Sequence, residues 1–537
     1  MRSELIERLS GGRFDVLVVG GGINGAVSAA ALAAGGASVA LVDRGDFGGL
    51  TSQETSNLVW GGVKYLARGE VRLVWSLCGA RNRLVAAYPG RVRPARFLGV
   101  LDDRAPVGRR AVGAGAALYW ALGRGVTPRP RSLSPRRAAE VEPLVDVPGL
   151  RGAVEYSDAR LVDGDARFVW DFVAAALDRG AVAVNYVEVT AAERVAGAGP
   201  GAGWRVGLRD VRTGDALEAT ARVVVNAAGP LAPDVGALLG VAGRHRLALS
   251  KGVHLVVPRL VAHDRVVAMY DDDSRPLFVI PHGDRTMIGT TDTRVDDAGV
   301  EVTDDDRAFL LDQVNRRLAL ERPLTAADVV AERAGVRPLV LPDRDSRSSR
   351  DGDWLALSRR HRVDVDVPGR VVTVLGGKLT DCVNVGDEVV RAMSLFGLEA
   401  RSATIWYGSP AVPDAAERRR LARELAPAHG DHGGAAMVEA LWRRQGTRAV
   451  QVLAAWRRDP SSAAELVPGT RVSRAEVEHI ARTELVVTAE DLLRRRTLLG
   501  QTRSPAELAG AVPGLTGLTG LTGLTGLTGL TGLGGGP

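Results

Sequence analysis

The alternation of apolar and polar stretches near the N-terminus predicts a strand, a tight turn, a helix and a second strand. Residues 14–19 are apolar and rich in valine, residues 26–34 are small helix-forming residues, and residues 38–42 are again strand-like. Glycines separate the first strand from the helix. We therefore expect a compact strand–turn–helix–strand unit at the start of the chain.

Farther along the chain, the pattern predicts mainly strands. A mostly helical stretch is expected at 50–90, and a connecting segment rich in Pro and Arg at 125–150. Residues 151–330 alternate strand-like runs with polar loops and one helix near 304–319. The strands expected in this part and just after it are 181–189, 222–226, 254–257, 277–280 and 370–375.

The 537 residues are too many for one hydrophobic core, and the pattern divides them into three parts. Residues 1–410 are expected to form a mixed α/β region with interleaved subdomains. From about 411 the chain is rich in Ala, Arg and Glu with helical periodicity, which predicts a helical domain over 411–505. The tail, 506–537, contains six Leu-Thr-Gly triplets and is expected to be disordered, because it has too little apolar surface to offset its ordering entropy.

The glycines of the first turn follow the spacing of a dinucleotide-binding site. Gly20 permits the tight turn, Gly22 lets the main chain approach a diphosphate, and Gly25 lets the helix pack close to the sheet. Asp43 closes the second strand, where an acidic side chain suits the ribose hydroxyls. Because the glycines sit between a strand and a helix, the sequence predicts a bound dinucleotide.

Two further segments favour a flavin nucleotide over NAD. Residues 223–230 form a strand that ends in a small-residue turn, as in many flavoproteins, and a Thr/Ser cluster follows the second strand. The cluster's hydroxyls would bind the diphosphate or the flavin ring; alternatively, Thr51 or Ser52 only caps a helix. The residues predicted to contact the cofactor are Gly20, Gly22, Asn24, Gly25, Asp43, Arg44, Thr51, Ser52, Thr55, Ser56, Gly229, Gly377, Lys378, Leu379 and Thr380.

Composition adds an unusual distribution of basic residues. The chain has a net charge of +6 and 69 Lys and Arg residues, yet the only lysines are Lys64, Lys251 and Lys378, each beside a glycine. An ammonium is a compact point charge that a guanidinium does not replace. Either these lysines mark a site for an anionic ligand, or they are chance survivors in an arginine-rich sequence.

Several classes of protein are disfavoured. Two cysteines and no HExxH-like spacing predict neither a disulfide framework nor a metal site, and a reducing compartment fits. Aromatic residues make up only 4% of the chain, which disfavours nucleic-acid binding. The N-terminus does not have the pattern of a signal peptide, and no run of about 18 apolar residues is present; the apolar stretch 111–123 is too short to span a bilayer.

Taken together, these motifs resemble the FAD-dependent glycerol-3-phosphate dehydrogenase/oxidase family, within the glycine oxidase and D-amino-acid oxidase fold group. The resemblance covers roughly residues 13–500. It rests on GGGINGA (20–26), TSQETSNLVWGGVKYL (51–66), EYSDARLVDGDARF (155–168), KGVHLVVP (251–258), FVIPHGDRTMIGTTD (278–292), GVRPL (335–339), GGKLTD (376–381) and the C-terminal HIARTELVVTAEDLLRRRT (479–497). It implies a Rossmann-like FAD domain, an antiparallel-sheet substrate domain and a C-terminal helical domain.

The resemblance also implies an activity, the oxidation of glycerol 3-phosphate to dihydroxyacetone phosphate with hydride transfer to flavin N5. Electrons would pass to quinone or oxygen, and the protein would be cytoplasmic, with possible peripheral contact on the inner face of the cell membrane. His254 is the candidate general base, or else a hydrogen-bonded strand histidine. Substrate contacts are implied for Arg337 and Lys378, both also candidate catalytic residues, and for Lys64, Tyr65 and Lys251.

The sequence departs from the family pattern near the expected substrate pocket. Asn57 stands where the family commonly has lysine, Trp60 where it has histidine and Lys64 where it has arginine. After GGKLT, the usual Thr-Tyr-Arg stretch is Asp381-Cys382-Val383. These changes leave the FAD prediction intact. They keep open an alternative in which a flavin enzyme of this fold oxidises a different small alcohol, phosphate ester or amine.

Overall fold

The computed structural model describes residues 1–509 apart from 104, 106, 196–201, 242, 274, 342–359, 400–404 and 410–413. Within 425–432 it describes only the backbone. The Leu-Thr-Gly triplets and the first residues of the expected helical domain therefore lie outside the described residues. Residues 506–509, expected in the tail, instead close the last helix.

Strands and helices are numbered along the chain. The strands are β1 Arg13–Val19, β2 Val39–Asp43, β3 Leu58–Val59, β4 Val92–Leu101, β5 Arg131–Leu133, β6 Gly152–Leu161, β7 Val182–Asn185, β8 Val187–Val195, β9 Gly203–Asp210, β10 Ala216–Asn226, β11 Leu247–Pro258, β12 Val266–Tyr270, β13 Pro276–His282, β14 Arg285–Gly289, β15 Thr293–Val295, β16 Ala331–Val340, β17 Arg362–Asp366 and β18 Val371–Leu375. The helices are α1 Arg2–Leu9, α2 Ile23–Ala34, α3 Val71–Ala87, α4 Arg109–Leu122, α5 Pro135–Val141, α6 Asp165–Leu177, α7 Ala232–Leu238, α8 Asp304–Arg317, α9 Cys382–Ala392, α10 Ala415–Gln445, α11 Ala449–Arg458, α12 Arg474–Thr483, α13 Leu499–Thr502 and α14 Pro505–Ala509.

One sheet carries the N-terminal unit, and its order is β17-β18-β10-β1-β2-β7, with β9 and β8 attached beside β10. The pairs from β18 to β7 are parallel. Val16, Leu17 and Val18 of β1 are fully buried, as expected for a parallel strand covered on both faces. Helix α2 packs against α6 and α9 through its small residues. The strand–turn–helix–strand prediction for this region is confirmed.

Within the part of the chain that the structure describes, the second sheet has ten strands and is largely antiparallel. Its order is β15-β11-β14-β13-β12-β4-β6-β3, with β16 paired to β11 and β5 to β6. Strand β11, near one edge of this sheet, pairs over ten residues with β16. Apolar side chains of β11 such as Val253, Leu255 and Val257 are fully buried in its core. Together the two sheets give the mixed α/β architecture that the sequence predicted.

Some boundaries differ from the predictions. The expected strand 181–189 is two strands, because Tyr186 adopts a left-handed conformation with φ of 57° and interrupts it. Residues 125–150, expected only as a connection, contain β5 and α5. Residues 50–90 contain two short 3-10 helices and β3 before α3 begins. Strands β3 and β5 both pair with β6, and local periodicity does not encode such pairing.

Helices α10 to α14 follow α9 along the chain, and a π-helical turn, Asp491–Arg496, lies between α12 and α13. Helices α10, α11 and α12 share a core around Leu441, Val452 and Trp456. Among the described residues, every helix is too short or too polar to cross a membrane.

Candidate active site

A large cavity, about 1230 Å³ in volume, is lined by residues from both sheets. It begins at the carboxyl ends of β1, β2 and β10, where open α/β sheets bind ligands. It continues to β11 and β16 of the second sheet. Of the residues predicted from the sequence, Gly25 and Lys251 do not line this cavity, and all the others do.

The glycine turn after β1 is closed so tightly that side chains are excluded. Gly20 has φ of 101°, and a Cβ on it would lie 2.6 Å from the carbonyl oxygen of Ala227. A Cβ on Gly25 would lie 1.7 Å from the carbonyl oxygen of Gly20. The turn therefore brings the N-terminus of α2, at Gly22 and Ile23, to the cavity wall, as diphosphate binding requires.

Asp43, at the end of β2, holds this turn in place. Its carboxylate accepts hydrogen bonds from the backbone amides of Gly21 at 2.6 Å and Gly45 at 2.7 Å. Each carboxylate oxygen can still accept a second hydrogen bond, and Asp43 lines the cavity. This geometry suits a ribose hydroxyl at the same position.

The Thr/Ser cluster anchors the loop that covers the turn. Ser52 Oγ accepts a hydrogen bond from the amide of Ile23 at 2.9 Å, which caps α2 across the fold rather than along the chain. Thr51 Oγ1 donates to the carbonyl of Val336 on β16. Thr55 Oγ1 donates to Asp165 at 2.8 Å. These three hydroxyls thus fix the loop between the two sheets at the cavity wall.

Arg337, on β16, is held over a glycine at the opposite end of the cavity. Its guanidinium donates to Thr290 Oγ1 at 2.7 Å and to the carbonyl of Thr291 at 3.3 Å. A Cβ on Gly252 would lie 2.0 Å from Nη2 of Arg337, so glycine at 252 is required for the guanidinium to occupy this place. The result is an oriented, two-pronged cation on the cavity wall.

Two lysines and two aromatic rings, which we call the lysine–aromatic cluster (Trp60, Lys64, Tyr65 and Lys378), form a second cationic wall. Nζ of Lys378 lies 4.3 Å from the ring centre of Tyr65 and 5.0 Å from that of Trp60. Nζ of Lys64 lies 5.6 Å from the Tyr65 ring and 6.0 Å from the Trp60 ring. The ring faces hold both ammonium groups at one side of the cavity.

His254, on β11, is 2% exposed and lines the same cavity. Within the described part of the chain, neither ring nitrogen has a hydrogen-bond partner. Burial lowers the pKa of His254 well below its usual value, and the positive charges of Arg333 and Arg337 lower it further. The imidazole is therefore neutral and able to accept a proton.

The turn that carries Gly377 and Lys378 is braced by His361, which sequence reasoning did not single out. The ring of His361 hydrogen-bonds Asp381 through Nδ1 and Glu388 through Nε2, the latter at 2.8 Å. Burial opposes protonation of His361, but these two carboxylates outweigh it and raise its pKa to about 9. Asp381, one of the departures from the family pattern, therefore has His361 as its hydrogen-bond partner.

The structure does not bring Lys251 to the cavity. Its Nζ donates to Asp306 of α8 at 2.6 Å, and the pair is largely buried. The substrate contact predicted for Lys251 is therefore replaced by an ion pair between β11 and α8. The cavity is also lined by charged residues that sequence reasoning did not single out, among them Arg275, Arg360, Glu490 and Arg495.

Comparison with protein families and curated relatives gives a consistent result. Residues 15–363 match the model of the FAD-dependent oxidoreductase family, and residues 407–512 match the C-terminal domain of alpha-glycerophosphate oxidase. Glycerol-3-phosphate dehydrogenase 2 of Mycobacterium bovis is 32% identical over 514 residues, covering 91% of this chain and 82% of the relative. Glycerol-3-phosphate dehydrogenase of Pseudomonas aeruginosa is 32% identical over 506 residues, covering 92% and 93%.

A solved structure shares the fold over nearly the whole chain. The glycerol-3-phosphate dehydrogenase from Bacillus halodurans, complexed with FAD, superposes with a TM-score of 0.73. The match covers 99% of this chain and 96% of that one, at 24% sequence identity. This similarity establishes the arrangement of the two sheets and the C-terminal helices.

Proposed function

This chain belongs to the FAD-dependent oxidoreductase family, and we propose that it oxidises glycerol 3-phosphate to dihydroxyacetone phosphate. The observation that carries the proposal is the set of side chains that line the cavity beyond its nucleotide end. Arg337, Lys64 and Lys378 contribute three cationic groups to the lining, and His254 adds a neutral base. A small phosphorylated alcohol is the ligand that needs both kinds of group.

The cofactor is FAD, and the first part of the cavity fits it. The glycine turn leaves space that a Cβ would fill, the N-terminus of α2 meets the cavity, and Asp43 stands where a ribose is bound. When bound, FAD supplies the redox chemistry by accepting a hydride at N5 from C2 of the substrate. The protein's own residues bind, orient and deprotonate the substrate.

The phosphate of the substrate is assigned to the cationic groups. A guanidinium binds a phosphate through two parallel hydrogen bonds, and Arg337 is already oriented by Thr290 and Thr291. The ammonium groups of Lys64 and Lys378 add point charges from the lysine–aromatic cluster. With the phosphate fixed in this way, C2 and its hydroxyl are held in one orientation, which lowers the entropic part of the barrier.

We assign His254 the role of the base that accepts the proton of the substrate hydroxyl. As C2 loses a hydride, its hydroxyl becomes a carbonyl and must release a proton, and Nδ1 or Nε2 of the neutral imidazole accepts it. The low pKa of His254 keeps the imidazole unprotonated at neutral pH. The two electrons would then pass from bound FAD to quinone or oxygen, which are the acceptors that the family resemblance implies.

A steady-state screen tests the substrate. Glycerol 3-phosphate, glycerol and other phosphorylated alcohols would be compared, with a quinone analogue and oxygen offered as competing acceptors. The proposal expects turnover with glycerol 3-phosphate and little or none with glycerol, because the cationic groups have no partner in the latter. Preference for an unphosphorylated alcohol or an amine would instead support the alternative that Trp60 and Lys64 leave open.

We also propose peripheral contact with the inner face of the cell membrane, through α3 and α4. Trp75 is 52% exposed, Leu118 and Val126 are also exposed, and the guanidinium of Arg124 lies 5.7 Å from the Trp75 ring centre. Apolar side chains beside arginines suit an anionic bilayer surface. Co-sedimentation with anionic liposomes at low salt, weakened at high salt, is expected. Protein that stays in the supernatant at low salt would contradict this contact.

A further inference from the structure

The C-terminal helices reach the nucleotide end of the cavity. Glu490 and Arg495 lie on its wall together with Asp43, Asp46 and Tyr186. Arg495 belongs to the π-helical turn Asp491–Arg496, which we call the arginine segment, and Glu490 directly precedes this turn. A part of the chain more than 400 residues from the glycine turn therefore helps to enclose the same space.

Buried ion pairs join the arginine segment to the loop after β2. Arg496 Nη1 and Nη2 each donate to one carboxylate oxygen of Asp46 at 2.8 Å, and neither side chain is exposed. Arg495 Nε donates to the same carboxylate at 2.9 Å. Charge-assisted hydrogen bonds of this kind, shielded from water, are directional as well as strong.

The far end of the same loop is held as well. Arg495 Nη1 donates to Gln53 Oε1 at 3.0 Å, and Arg494 pairs with Glu54. The loop from Asp46 to Glu54 is thus gripped at both ends by consecutive arginines. Between the grips lies Ser52, whose hydroxyl caps α2 at the diphosphate-binding turn.

The arginine segment also contacts the opposite side of the nucleotide end. Asp491 Oδ1 accepts hydrogen bonds from Arg495 Nη2 at 2.6 Å and from the Tyr186 hydroxyl at 2.7 Å. Tyr186 is the left-handed residue that interrupts the expected strand, and its amide donates to the carbonyl of Gly45. The loop after β2 and the break between β7 and β8 are therefore tied to one C-terminal turn.

We propose that the arginine segment is a cofactor lock, in which Arg495 positions the loop Asp46–Glu54 and closes the nucleotide end of the cavity around FAD. The lock rests on FAD as the cofactor and is independent of which substrate is oxidised. It acts on the release of FAD, because the loop must move away from the glycine turn before the nucleotide leaves. Arg495 is a positioning residue here, not a catalytic one.

The test measures how fast FAD leaves the purified holoprotein, from the rise in free-flavin fluorescence after dilution. Arg495→Lys keeps a charge beside Asp46 but cannot reach Asp46, Gln53 and Asp491 together. We expect FAD release about 10- to 100-fold faster than in the wild type, the change for losing hydrogen bonds to charged groups.

Arg503→Lys is the matched control. Arg503 is 4% exposed against 7% for Arg495, lies in the same C-terminal helices, and donates to Asp284 at 2.8 Å away from the cavity wall. Its variant should release FAD at the wild-type rate. Equal acceleration by both variants would overturn the lock, since it would mean general loosening of the C-terminal helices, and so would no acceleration by Arg495→Lys.

A second variant decides the matter if Arg495→Lys does not fold. Gln53→Met removes the acceptor of Arg495 Nη1 while leaving every buried charge paired and the volume similar. We expect about a 3- to 10-fold faster release of FAD, as for one uncharged hydrogen-bond partner. Release at the wild-type rate from a folded Gln53→Met protein would overturn the lock.

Discussion

The two ends of the cavity are built in different ways. At the nucleotide end, the main chain of a short segment forms the site. Gly20, Gly22 and Gly25 shape one turn, and Asp43 holds this turn by accepting a backbone hydrogen bond. At the substrate end, side chains from distant segments converge on a prepared framework, as Arg337 and His254 do. Substitutions at the two ends should therefore have different effects. Those at the nucleotide end should reduce FAD binding, and those at the substrate end should reduce turnover.

The largest effect should come from a substitution in the glycine turn at the nucleotide end of the cavity. Gly25→Ala places a Cβ 1.7 Å from the carbonyl oxygen of Gly20, so the turn cannot keep its shape. We expect protein that is unfolded or purifies without FAD, measured as the flavin-to-protein absorbance ratio. Gly79→Ala in α3 is the control; nothing lies within 4 Å of its added methyl, and it should keep FAD and gain up to about 1 kcal/mol of stability. A yellow, fully loaded Gly25→Ala protein would contradict this account of the turn.

The next largest effect should come from the base at the substrate end. His254→Asn is expected to lower kcat by about 10²- to 10⁴-fold, as for loss of a general base, while FAD stays bound. Because the pKa of His254 lies well below 6.5, wild-type kcat should not fall with protonation of this residue as pH drops to 6.5. His263→Asn, an exposed histidine, is the control and should leave kcat unchanged. Unaltered kcat in His254→Asn would remove His254 from the chemistry.

A smaller effect is expected from the phosphate contact. Arg337→Lys keeps a positive charge but loses the two-pronged geometry set by Thr290 and Thr291. We expect kcat/KM for glycerol 3-phosphate to fall about 10- to 100-fold, mostly through KM, with flavin content unchanged. Arg294→Lys, on the exposed side of β15, is the matched control. A loss of FAD from Arg337→Lys would break the separation between the two ends.

The smallest effect concerns the turn that serves both ends. His361 braces Gly377 and Lys378 through Asp381, and its pKa is about 9 in the folded protein against about 6.5 unfolded. A raised folded pKa stabilises the protein fully below pH 6.5, and this contribution is lost as pH rises through about 9. We expect the unfolding free energy to fall by about 1 to 3 kcal/mol across that window, and His361→Asn to flatten the fall. Identical pH profiles for both proteins would contradict it.

The glycine turn at the nucleotide end could be predicted from the sequence because the geometry of this turn is local. The glycine spacing, the preceding strand and the acid at the end of β2 lie within one short unit, and the structure has them in that arrangement. At the substrate end, composition drew attention to Lys64 and Lys378, but His254 and Arg337 were reached only through the resemblance, since nothing local joins them to the lysines. Only after folding do these residues line the same cavity.

The predictions that the structure corrected failed because they, too, involved contacts between residues distant in the sequence. Lys251 has glycine neighbours like those of Lys64 and Lys378, but its partner Asp306 lies on a helix that local pattern could not place against β11. The break at Tyr186 depends on its contacts with Gly45 and Asp491. Charged side chains pair with residues that are distant in the sequence, and the spacing of residues along the chain does not predict these pairs.

The central claim, that FAD at one end of the cavity faces a cationic pocket for a phosphorylated alcohol, has a direct test in anaerobic mixing of the purified yellow protein with substrate. Without oxygen or quinone, reduced flavin accumulates and its visible absorbance bleaches. The account predicts bleaching by glycerol 3-phosphate and none by glycerol at the same concentration. Bound flavin that stays yellow with glycerol 3-phosphate would contradict it.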